Sequence, residues 1–274
     1  MSEENTEIQL PLDTSLGKLP QKEKGSLSPV ECKTMEELRR HQLERLAAGF
    51  RMFSHFGYDE GIAGHITLRD PEFPHYFWVN PFGMHFGQIC ISDLILVDRD
   101  GNIVQGEGKM LNTAAFAIHS RLHEARSDVN AAAHSHSMYG KSFSTLGRLL
   151  EPITQDSCAF YENHVLFDDF TGVVLETDEG DRIAKALGDK KAAILKNHGL
   201  LTTGESVDAA LWAFLSMDRC CQSQLIAESA GQMERIADDV AELTRDQVGS
   251  EFAMWASFQP IYDLMLEKDD SFLN

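Results

Sequence analysis

Apolar residues recur with a helical period at Met35, Leu38, Leu43, Leu46, Ala47, Phe50 and Phe53. Thr34 with Glu37 makes a capping box before that run and Gly57 follows it, so a helix is expected between them. Short extended runs come next, at His65–Arg69, Tyr76–Val79, Leu94–Asp98 and Asn102–Val104. Asp100-Gly101 between the last two is a hairpin turn. Asn112 can cap a helix to about Arg126, and Val129–His136 reads as a buried strand. Short helices are expected over Met138–Leu146 and Asp178–Leu187, with an apolar strand at Ala192–Lys196. From Ser206 to about Ala230 the pattern is that of a long amphipathic helix. Strands and helices interleave irregularly and some strands pair by hairpins. That predicts one α/β domain whose mixed or mostly antiparallel sheet is covered by helices on both faces.

Residues 1–33 are polar and aperiodic and hold three of the eight prolines, which marks a flexible tail. The domain is expected over 34–231. Residues 232–274, with apolar clusters around Trp255 and Tyr262, form an extension that packs on the domain or on a neighbouring subunit.

Composition narrows the function classes. A chain of 274 residues, 43% hydrophobic, can bury a sizeable core, and no run approaches the length of a membrane-spanning helix. The net charge of −19 argues against nucleic acid or an anionic membrane as a partner. The five cysteines are odd in number and never spaced C-x-x-C, which points to reduced thiols. With an acidic N-terminus lacking the blocks of a signal peptide, the expected compartment is the cytoplasm.

The candidate chemistry is histidine. His134-Ser135-His136 ends an apolar strand, so both imidazoles fall on one face, roughly 7 Å apart at Cα, and can chelate one ion. His198, in Asn197-His198-Gly199 just past another apolar run, can complete a three-His centre with an open position, as in catalytic zinc sites. Spacing leaves open whether position 198 returns to position 134. Each His also has a plainer reading as an ordinary core or surface residue.

Four stretches, in this order, resemble the class II aldolase/adducin family from about residue 36 to 230. They are Gly64-His65-Ile66-Thr67-Leu68-Arg69, Val79-Asn80-Pro81-Phe82-Gly83, Arg126 to His136, and Ile194-Leu195-Lys196-Asn197-His198-Gly199-Leu200. The resemblance implies a three-layer α/β/α sandwich with a central mixed, largely antiparallel sheet, in a homotetramer with active sites at subunit interfaces. It implies His134, His136 and His198 as ligands of Zn2+ or another divalent transition metal. Gly64, His65, Gly83 and Thr113 fall on the substrate side.

In the family's sugar-phosphate aldolases a glutamate in the helix before the H-x-H strand moves the proton, and the family's spacing places Ala115 there. His65 replaces the usual Asn, and Thr113-Ala114 the usual Ser pair. These departures turn the expectation toward a metal-dependent lyase that cleaves a non-phosphorylated substrate with adjacent oxygen functions. Retro-aldol cleavage or decarboxylation would proceed through a metal-stabilised enolate. Replacement acid/base groups are sought in Asp156, Tyr161, Glu162 and His164, and in Tyr262, which can reach a neighbouring subunit. The plainer reading of each is a polar loop residue or a packed aromatic. Glu107 is a further candidate, and His65 and His85 can bind a carboxylate. The alternative is a non-catalytic, adducin-like assembly protein that keeps the metal site and has the actin cytoskeleton as partner, although no basic tail follows here. A non-catalytic small-molecule binder is the third reading.

Overall fold

Thr34 accepts a hydrogen bond from the Glu37 amide and so starts α1 (Met35–Phe56), which Gly57 ends in the left-handed region at φ 74°. The computed structural model describes residues 22–173 and 177–274. After α1 come β1 (His65–Arg69), β2 (Phe77–Val79), β3 (Ile95–Val97), β4 (Ile103–Gln105), α2 (Thr113–Ala125) and β5 (Ala131–Ser135). Then follow α3 (Met138–Ser144), α4 (Gln155–Cys158), β6 (His164–Phe167), α5 (Thr177–Leu187), β7 (Ala192–Leu195) and β8 (Gly199–Gly204). Three helices complete the described chain: α6 (Val207–Ala230), α7 (Asp238–Val248) and α8 (Glu251–Lys268).

The strands form one sheet in the order β4-β3-β2-β1-β5-β8-β7-β6. Every neighbouring pair is antiparallel except β6 with β7, so the sheet is mixed and largely antiparallel. Alternation along the strands sends one set of side chains to each face. Ile66, Leu68, Ala131, Ala133, Ile194 and Leu200 pack with α1, α6 and α8 on one side. Ala132, Ala193, Leu195 and Leu201 pack with Ala117, Ile118 and Leu122 of α2 and Ile183 and Leu187 of α5 on the other. The result is the three-layer α/β/α sandwich.

The structure adds elements that periodicity does not show. Strand β8, directly after the Asn197-His198-Gly199 motif, lies between β5 and β7. His164 begins edge strand β6 instead of sitting in a loop. The C-terminal extension is two helices, and α8 lays Met254, Phe258, Tyr262 and Met265 into the core beside α1 and α6. Most of the expected N-terminal tail, residues 1–21, lies outside the described residues; Lys22 pairs with Asp263 of α8 at 3.3 Å.

Helix α2 is fastened to the sheet in two ways. Gly180 of α5 lets the α5 backbone approach α2 so closely that a Cβ there would stand 2.0 Å from the Ala117 carbonyl oxygen. On its sheet-facing side, His119 Nδ1 and His123 Nε2 flank the buried Thr67 hydroxyl at 2.6 and 2.9 Å. His123 Nδ1 donates to the Val129 carbonyl at 3.1 Å. Burial and the nearby Arg69 guanidinium push the His123 imidazole down to about 3.

Two outcomes are expected. Gly180→Ala destabilises the fold by about 1–3 kcal/mol, because backbone and not a pliable side chain meets the new methyl, read as a lower midpoint in urea. Stability also falls with acid. The unfolded chain protonates His123 from pH 6.5 downward, while the folded chain resists until about 3. Between pH 7 and 5 this one group removes about 2 kcal/mol of stability. Thermal melts of metal-free protein at the two pH values should show a drop, and His123→Phe should shrink it by this group's share, the other buried histidines supplying the rest.

Candidate metal centre

The third histidine reaches the other two because β8 pairs with β5. Leu195 pairs with Gly199, leaving Lys196, Asn197 and His198 as a tight link between β7 and β8. Asn197 takes a left-handed backbone at φ 59°, a conformation Asn tolerates better than most residues. The His198 amide donates to the Leu195 carbonyl at 3.0 Å and closes the turn. Gly199 is required by proximity: a Cβ there would stand 2.7 Å from the Ser135 carbonyl oxygen and 3.5 Å from His134 Cε1. Gly64, at φ 94°, is pressed against β5 in the same manner, with the His134 carbonyl oxygen 3.1 Å from where its Cβ would be.

His134, His136 and His198 therefore converge. One ring nitrogen from each lies within 4.8 Å of the others. Ring centroids are 4.6 Å apart for His134 and His198, 4.9 Å for His136 and His198, and 5.2 Å for His134 and His136. His134 Nδ1 donates to the Leu200 carbonyl at 2.8 Å, which fixes the tautomer and leaves Nε2 as the free donor. Burial lowers the affinity of all three for protons. His134 is held well below the usual imidazole range by burial and by His198. His198 is pushed down to about 4 by burial and by His136. His136 is lowered by burial and Lys141, with Glu60 opposing. Three neutral imidazoles, one with its tautomer set by a backbone carbonyl, fit a divalent transition metal.

The triad opens onto a cleft of ≈ 730 Å³. Gly64, His65, Thr113 and Ala114 line it beside the ligands, with apolar walls from Ile62, Phe82, Leu111, Ile118, Phe170 and Val173. Among the described residues that line it there is no Asp or Glu, and its one cationic side chain is Lys141, paired with Glu60 at 2.5 Å. Ala115 faces away, into a cluster with Phe77, Val79, Ile95 and Val97; its neighbour Ala114 faces the cleft.

Of the residues singled out for substrate, Gly64, His65 and Thr113 line the cleft, while Gly83 follows the lining residue Phe82 in a turn at φ 86°. Asp156, Tyr161, Glu162, His164, Tyr262 and Glu107 are not among the cleft-lining residues of the single chain. Asp156 is exposed in the first turn of α4, and Tyr161 sits half-exposed with its hydroxyl bonded to Asp238. His164 uses both ring nitrogens on backbone, taking a hydrogen bond from the Leu150 amide at 2.9 Å and giving one to the Phe160 carbonyl at 2.6 Å. Tyr262 is buried under the Arg45 guanidinium, 3.6 Å above its ring, and burial pushes its phenol up to about 12. Sequence reasoning passed over Lys141, although it falls five residues after His136. It also passed over His119 and His123, whose fourfold spacing from Ala115 puts all three on the buried face of α2.

Comparison with known proteins agrees with this geometry. A family model described as Class II Aldolase and Adducin N-terminal domain matches residues 44–225. Decarboxylase NovR of Streptomyces niveus is 46% identical over 243 residues, covering 88% of this chain and 90% of that protein. The 4-hydroxy-3-prenylphenylpyruvate oxygenase/4-hydroxy-3-prenylbenzoate synthase of Streptomyces roseochromogenus subsp. oscitans is 46% identical over 242 residues, covering 88% of this chain and 87% of that protein. Among solved structures, L-fuculose 1-phosphate aldolase from Glaciozyma antarctica PI12 superposes with a TM-score of 0.83 at 44% identity, covering 88% of this chain and 95% of that one. A family match across the sheet and both helix layers, on top of the converged histidines, means that this chain belongs to the class II aldolase and adducin family.

Proposed function

We propose that this chain is a metal-dependent carbon–carbon lyase that decarboxylates a small acid with an apolar or aromatic body and adjacent oxygen functions. The observation that carries the reading is a three-His donor set in a cleft whose described lining holds no carboxylate. An aldolase of the sugar-phosphate kind needs a base to move a carbon-bound proton, and a phosphate calls for free cations. Here Lys141 is already paired with Glu60. Loss of carbon dioxide removes no carbon-bound proton; the electron pair of the broken bond stays on the enolate, which takes a proton from water, so Ala in place of the family's glutamate is no handicap. It places no demand on Asp156, Tyr161, His164 or Tyr262 either.

His134, His136 and His198 would hold the metal, which when bound supplies a Lewis acid for the substrate's adjacent oxygens. The apolar walls, among them Ile62, Phe82 and Val173, would take the apolar body of the substrate. Two similar proteins support the reading by name, one a decarboxylase and one an oxygenase/synthase whose named compounds are aryl acids. Zinc suits three neutral imidazoles. Iron(II) is the second choice, favoured by the oxygenase in the second relative's name. An assembly role of the adducin kind, with actin as partner, would leave the converged triad and its cleft without a use.

Exposed apolar side chains lining the cleft, Ile62, Phe170 and Val173, support a homotetramer with the cleft at a subunit boundary. No helix of the described residues is long and apolar enough to cross a membrane. The free cysteines support a reducing, cytoplasmic setting.

Two results are expected. Elemental analysis should find about one zinc-class or iron ion per chain in wild type and none in His134→Ala; metal-free wild type would sink the reading. Assays on oxo acids with aromatic tails should release carbon dioxide only with metal, at a rate at least about 100-fold lower in His134→Ala. Cleavage of a sugar phosphate with no release of carbon dioxide from any acid would overturn the decarboxylase assignment while leaving the metal site intact.

A further inference from the structure

Behind the metal triad lies a file of buried polar groups that the reaction proposed above does not use. It starts at the Val129 carbonyl and runs through His123, the Thr67 hydroxyl and His119 to His65. The His65 ring lies 4.3 Å from that of His119 and 5.0 Å from that of His134, centroid to centroid, and it lines the cleft.

The direction of the hydrogens along the file is forced. A carbonyl only accepts, so His123 carries its hydrogen on Nδ1. Burial keeps that ring neutral, so Nε2 has a lone pair and takes the Thr67 hydroxyl hydrogen. The Thr67 oxygen must then accept from His119 Nδ1 at 2.6 Å, which leaves a lone pair on His119 Nε2. Reversing the chain would set the His123 Nδ1 lone pair against the Val129 carbonyl oxygen.

The file ends unsatisfied. His119 Nε2 and both ring nitrogens of His65 are buried with no partner among the described residues, and each unmet group costs about 1–3 kcal/mol. A turn of the His65 ring would meet two of the three and leave the third, the other His65 nitrogen, for a ligand. We propose that, in the ligand-bound protein, His65 donates its N–H to His119 Nε2 and offers its other nitrogen to the cleft as a lone pair, making a subsite for a neutral hydroxyl beside the metal triad. An alcohol, phenol or water can donate to it; the oxygens of a carboxylate or sulfate, which only accept, would face a lone pair and be repelled. Thr67, His119 and His123 are positioning residues that set this polarity. The inference rests on the hydrogen-bond chain and not on the decarboxylase reading.

The test is long-range proton–nitrogen NMR on zinc-loaded protein labelled with nitrogen-15 histidine, with phenol and sulfate as probes. His119 and His123 are expected as Nδ1–H tautomers, and phenol should move the acceptor nitrogen of His65 while sulfate, which has no hydrogen to donate, does not. Thr67→Val should weaken phenol binding about fivefold to tenfold and release the His119 tautomer, with Thr67→Ser restoring both. If phenol moves nothing but a crystal structure places a water oxygen about 3 Å from that nitrogen, the proposal holds with water as the donor. Hydrogen on His119 Nε2 in wild type, a His65 response to sulfate, or neither a phenol response nor a water would overturn it; the wild-type spectrum decides even where a variant fails to fold.

Discussion

Strand β8 lies so close to the end of β5 that only a glycine fits at position 199, against the Ser135 carbonyl oxygen. The antiparallel pairing of these two strands brings the lone His198 to the pair on β5, and it lets the Leu200 carbonyl take the His134 Nδ1 hydrogen. The register matters as much as the proximity. A slip of one residue would turn His134 to the opposite face, toward the α1–α6 layer. The Asn197 turn and the two glycines at 64 and 199 are the local conditions for that register, and the donor set follows from it.

Helix α1, the α2 cap at Asn112 and the Asp100-Gly101 turn were legible because each has a local cause: a cap, a period or a turn residue. His134 on β5 and His136 just past its end were legible for the same reason. Strand β8 was not, since GLLTTG is buried along its whole length and shows no alternation, and glycine at both ends reads as loop. Helix α8 was obscured by Pro260, which would ordinarily break a helix but lies here on its exposed side. Closure of the site is a long-range pairing, and no periodicity reports it; the order of motifs shared with a family did.

The chemistry of the cleft is unusual in its neutrality. The chain as a whole carries a net charge of −19, yet the described cleft lining has no acid and one already paired lysine. Its working groups are uncharged imidazoles whose hydrogens are placed by backbone carbonyls at Leu200 and Val129. Such a surface would discriminate by hydrogen-bond direction and by shape.

His136 and His198 also bracket a long excursion of the chain that holds α3, α4, β6, α5 and β7. An ion held by both is a clasp on that excursion. Its binding free energy is shared with the fold by mass action, growing with the logarithm of free metal over its dissociation constant. Scarcity of such an ion would therefore loosen the edge of the sheet at β6 and β7. Local opening of that edge, and with it exposure to proteases, becomes a gauge of how much metal the surroundings supply.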